Sequence, residues 1–131
     1  MLELLPHRPP WSLVDRVLSV DGARIVAEKR LALDDPLLGP RGLGGPLAIE
    51  AVAQAAACLV GAGGDGSGAR HGYLVAARGW KFPGWARPGE TVTLSAERTG
   101  SWANLYAFFG TARVGEREIA AGELRFALPP D

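Results

Sequence analysis

Cysteine is nearly absent. Cys58 stands alone, so no disulfide can form within the chain, a cross-linked secreted scaffold is excluded, and a reducing cytoplasm is the simpler setting. An excess of charge is lacking too: 14 basic residues balance 14 acidic ones, for a formal net charge of +0. That balance removes the electrostatic footprint of a nucleic-acid binder and leaves no basic run to hold an anionic membrane surface. It still allows a local basic patch for an acidic partner protein. The opening residues MLELLPHRPP show no basic stretch followed by a long apolar one, so no secretory signal is expected. The longest apolar run, Ala55 to Ala62 broken by Gly61, is too short for a membrane span. Histidine is scarce, with only His7 and His71, and no metal site or cofactor is implied.

What is present is apolar and patterned. Hydrophobic residues make up 47% of the 131, enough for one domain over 1–131 with a real core. The 18 glycines and 10 prolines fall between patterned segments and act as punctuation. Ser12 to Val20 and Arg24 to Leu33 read as two strands joined by the turn pair Asp21-Gly22. Asp34 to Gly45 is a loop. Pro46 then opens a helix over Leu47 to Ala62, ended by Gly61, Gly63 and Gly64. Its apolar residues lie nearly all round, the mark of a helix buried on most sides. Gly63 to Ala69 reads as a surface loop. Four further strands follow, over Tyr73 to Phe82, Thr91 to Arg98, Ala103 to Val114 and Ile119 to Leu128. The expected class is α+β, with one long central helix wrapped by a curved antiparallel sheet of about six strands.

Three segments, in order along the chain, carry a resemblance: LPHRPPWSLVDRV (5–17), LAIEAVAQAAACL (47–59) and KFPGWARPGE (81–90). Together they resemble the 3-hydroxyacyl-acyl-carrier-protein dehydratases of fatty-acid synthesis, the FabA/FabZ type. The resemblance implies a hotdog fold, a homodimer with a continuous sheet, and acyl tunnels at the dimer interface. It also implies an acyl-thioester substrate on acyl carrier protein or coenzyme A.

The site residues follow from the same match. It carries the catalytic acid onto Glu50. A carboxyl in a mostly buried helix must be satisfied or neutral, and one that keeps its proton can give it to a leaving hydroxyl. The plainer alternative is a helix-start glutamate that only complements the helix dipole. Gln54 lies at i+4 on the same face, placed to orient Glu50 as the family glutamine does, or else to pack at a dimer seam. Gly45 and the N–H groups of Leu47 and Ala48, at the helix start, would bind substrate by polarising the thioester carbonyl. Cys58, one more step along the stripe, reads as a small core residue.

One family feature is missing. The chemistry needs a base with a pKa near neutral to take the proton beside the thioester. The resemblance implies a histidine in a His-Phe-Pro-Gly loop before the acid, but Asp34 to Gly45 holds none, and Pro36 stands at that spacing. His7 belongs to the LPHR motif and reads as structural. His71 is a possible alternative base, or a surface residue at the head of a strand, and Asp34 and Asp35 read as a solvated turn. Trp11, Trp80, Trp85 and Trp102 are candidates for an acyl pocket or for core packing. Arg78, Lys81, Arg87 and Arg113 are candidates for a carrier-protein mouth or for plain solvation. Three functions remain open: a dehydratase, a non-catalytic acyl-binding or partner subunit in a heterodimer with another hotdog protein, and an acyl thioesterase.

Overall fold

The computed structural model describes residues 13–34, 42–62 and 73–127. The first turn forms where Asp21-Gly22 predicts it. Asp21 Oδ1 accepts from the N–H groups of Ala23 at 2.8 Å and Arg24 at 2.9 Å, the local closure that makes aspartate a turn former. It joins strands β1 (Arg16–Val20) and β2 (Arg24–Arg30). Helix α1 (Pro46–Ala62) follows, then β3 (Tyr73–Lys81), β4 (Thr91–Trp102), β5 (Leu105–Val114) and β6 (Arg117–Ala127). Every pairing is antiparallel, in the order β1-β2-β4-β5-β6-β3. One helix against a six-stranded sheet is the α+β architecture the sequence implies.

Several boundaries differ from expectation: β1 begins at Arg16 rather than Ser12, β2 ends at Arg30 rather than Leu33, and β6 begins at Arg117 rather than Ile119. Alternation in β4 fades near Arg98, yet the strand continues to Trp102 because β5 keeps pairing with it: Gly100 with Ala107, Ser101 with Tyr106, Trp102 with Leu105. Ala103, expected to begin the next strand, therefore sits in the two-residue turn at φ 53°. Tight hairpins need that left-handed backbone, and cross-strand pairing decides where it falls.

The inner face of the sheet is read off by period two. Ile25 and Ala27, Leu94 and Ala96, Phe108 and Ala112, and Ala120, Leu124 and Phe126 are all buried. Phe108 meets Phe126 edge-on, with ring centroids 5.7 Å apart. Helix α1 lies on β4, β2 and β5, and more lightly on β6. Its alanines at 48, 51, 53, 55 and 56 are buried, and their small side chains let its backbone come close to the sheet. The approach is close at Gly110, where a Cβ would run into Val52 Cγ1. Among the described residues no helix is long and apolar enough to cross a membrane.

Strand β3 ends the sheet and pairs only with β6 among the described strands. Leu74 and Val75 on it are exposed. Trp80 is pinned there by its indole N–H, which donates to the Glu123 carbonyl at 3.0 Å, and its ring stacks on Phe82.

Candidate functional site

Helix α1 begins after Gly45, whose φ of 56° turns the chain into the first helical turn. Pro46 supplies no N–H there. The Ala48 N–H donates to the Gly45 carbonyl at 3.0 Å, and the Ile49 N–H reaches the same oxygen at 3.4 Å. Of the two amides expected to face a thioester, Ala48 is thus engaged within the turn. The Leu47 N–H belongs to the first turn, where position denies it an acceptor inside the helix.

Glu50 is half-buried in the second turn, and its side chain leans toward the helix start, as helical side chains do. Gln54, one turn on, is buried at 1% exposure. Its Oε1 accepts from the Leu13 N–H at 2.6 Å, and its Nε2 donates to Glu50 Oε1 at 3.3 Å. The first bond decides the second. A backbone N–H can only donate, so the amide oxygen must face Leu13 and the amide nitrogen must face Glu50. Gln54 therefore bridges the segment before β1 to the carboxylate. Cys58 continues the stripe as a buried thiol, pushed up to about 11 by desolvation and so inert as a nucleophile near neutral pH.

The remaining candidates are dispersed. Trp80 is half-buried; Trp85 and Trp102 are exposed at 42% and 51%. Arg78 and Lys81 are exposed on edge strand β3, Arg87 is exposed in the connection from β3 to β4, and Arg113 is exposed on β5 with Glu118 at 3.8 Å. Since β6 separates β5 from β3, these cations are spread over several elements. Asp34 is exposed in a turn. His7, Trp11, Asp35, Pro36 and His71 lie outside the described residues. A depression of about 270 Å³, lined by Arg24, Val26, Glu97, Phe109 and Arg113 among others, holds no residue of α1 and so lies apart from Glu50.

Two partners were not visible in the sequence. Leu13 meets Gln54 through a backbone N–H 41 positions away, which no side-chain pattern signals. The contact of Trp85 with Gly44 is equally non-local, and the glycines at 42, 44 and 45 are the one local signal that could have pointed to it.

One apolar helix on a six-stranded antiparallel sheet, with Glu50 and Gln54 bonded to each other in its first turns, has the architecture of a hotdog-fold protein. A family model described as ApeP-like, ApeP dehydratase, matches residues 1–131. The 3-hydroxyacyl-[acyl-carrier-protein] dehydratase FabZ of Syntrophomonas wolfei is 33% identical over 134 residues, covering 98% of this chain and 92% of that protein. Among solved structures, the dehydratase heterocomplex ApeI:P from Xenorhabdus doucetiae superposes with a TM-score of 0.80 at 21% identity, over 99% of this chain and 91% of that one. A hypothetical thioesterase with coenzyme A from Streptococcus pneumoniae TIGR4 shares the fold at a TM-score of 0.73 and 10% identity, over 88% of this chain and 86% of that one. The chain belongs to the ApeP-like family of FabZ-related dehydratases.

Proposed function

We propose that this protein removes water from 3-hydroxyacyl thioesters carried on acyl carrier protein or coenzyme A, with Glu50 as the general acid. The observation that carries the reading is the buried Gln54, held by the Leu13 N–H so that it presents a donor to Glu50. A glutamate serving only the helix dipole needs no such orienter. In the elimination, the bond from C2 to hydrogen and the bond from C3 to oxygen break as the C2–C3 double bond forms. Glu50 gives its proton to the departing hydroxyl. The Leu47 N–H, left without an acceptor inside the helix while the Ala48 N–H is held by the Gly45 carbonyl, polarises the thioester carbonyl and so acidifies the C2 proton. A base takes that proton, and His71 is this chain's own candidate for it. A cytoplasmic setting fits the lone, buried Cys58.

Strand β3 is the natural place for a second hotdog chain to continue the sheet, because among the described strands it pairs on one side only, with β6, and it exposes Leu74 and Val75. A second reading follows from the absence of histidine from the sequence of residues 34–45 together with the heterocomplex among the structural neighbours. In it, the chain is one subunit of a hotdog heterodimer, and the other subunit brings the base.

The test is hydration of a 2-enoyl thioester by wild type and by Glu50→Gln. Removing a general acid lowers the rate by ~10²–10⁴-fold. Equal rates would sink the Glu50 role. Robust turnover by the purified homodimer would eliminate the heterodimer reading, and thiol release without hydration would select a thioesterase.

A further inference from the structure

Trp85 sits in the connection from β3 to β4, beside the segment that leads into α1. Leu43 and Ala86 exchange both backbone hydrogen bonds, each 2.8 Å, and so lay residues 42–44 alongside this connection. The pairing brings the Trp85 indole onto Gly44. A Cβ on Gly44 would stand 2.6 Å from Cδ2, 2.6 Å from Cε3 and 3.1 Å from Cε2. Near-equal distances to three fused-ring atoms mean that the face of the indole, rather than its edge, meets the glycine. The residue is also held from its backbone: its carbonyl accepts from Arg117 at 3.2 Å, and the same guanidinium nitrogen donates to Glu90 Oε1 at 2.6 Å. With 42% of its surface exposed, Trp85 is a poor core filler.

Two successive glycines at the helix start are a mechanical weakness for a hydrogen-bond clamp. Gly44 and Gly45 have the widest backbone freedom of any residues, whereas a donor stabilises developing charge only if it is aimed beforehand. We propose that Trp85 is a positioning residue for the thioester clamp: pressed face-on against Gly44, it removes that freedom and aims the Leu47 N–H at the carbonyl. The inference rests on the clamp assigned under the proposed function.

The test compares two unreactive pantetheine probes, a crotonyl amide that keeps the carbonyl and a crotyl thioether that lacks it. Each is titrated calorimetrically into the purified protein, together with any hotdog subunit that copurifies. Wild type should prefer the amide by roughly tenfold, the worth of one hydrogen bond. Trp85→Ala should lose that preference while keeping its thioether affinity, and Trp85→Phe, which keeps a flat ring, should retain most of it. A merely structural role would lower both affinities together. A preference intact in Trp85→Ala overturns the inference and leaves the clamp standing. No preference in wild type overturns the clamp, and the inference with it. Should Trp85→Ala fail to fold, Trp85→Leu carries the same comparison.

Discussion

Gln54→Met tests the bridge between Leu13 and Glu50. Methionine matches the length and volume of glutamine but offers no strong acceptor, so the packing stays and both hydrogen bonds go. Leu13 is 1% exposed and its bond to Gln54 is buried, so the loss leaves a buried donor unsatisfied. That costs about 1–3 kcal/mol, and relief from burying the glutamine amide offsets part of it. A net loss of about 1–2 kcal/mol is expected, which at a urea slope of ~2 kcal/mol/M moves the unfolding midpoint down by about 0.5–1 M. Gln54→Glu is the informative companion. It keeps an acceptor for Leu13 but sets a second carboxylate against Glu50, where like charges repel unless they share a proton. Its deficit should therefore shrink on acidification, whereas that of Gln54→Met should not. Tryptophan fluorescence at one fixed protein concentration reads all three proteins and keeps any dimer equilibrium constant. A Gln54→Met midpoint within about 0.1 M of wild type would show that the 2.6 Å bond holds nothing together.

Other expectations follow from single contacts. Gly110→Ala drives a methyl group into Val52 and should cost ~1–3 kcal/mol, with Val52→Ala in the same chain restoring most of it; urea midpoints of the single and double variants check this. Cys58 should resist a disulfide reagent in the native protein and react freely in urea, since burial pushes its thiol up to about 11; native labelling as fast as unfolded labelling would contradict its placement. Glu90 lies below its ordinary range because the Arg87 N–H, and then Arg117, hold its charged form. A carboxyl depressed by folding stabilises above its unfolded range and loses that contribution as pH falls through its folded value. The stability gap between wild type and Glu90→Gln should accordingly close in acid, and a gap constant with pH would exclude the charge as its cause.

Much of the fold was legible because its signals are local. Asp21-Gly22 carries its own turn geometry, alternation through Thr91 to Ala96 carries the strand period, and the alanine-rich run after Pro46 carries a helix that has to be covered. Where β4 ends was not legible, since its last residues are held by pairing with β5 rather than by their own pattern. The site divides along the same line. Glu50 and Gln54 share a helix face by spacing alone, a relation that needs no tertiary information.

The segment from Gly45 to Leu59 thus determined, without further help, that a carboxylate and a glutamine stand one turn apart at the start of a buried helix. Only the tertiary structure decided which way the glutamine faces, because the deciding group is the Leu13 N–H, a backbone donor 41 residues away that every residue but proline possesses. Likewise only the fold brought Trp85 onto Gly44. Side-chain patterns record what a residue is. The partner of a backbone group depends on where the chain returns, and that is settled by packing.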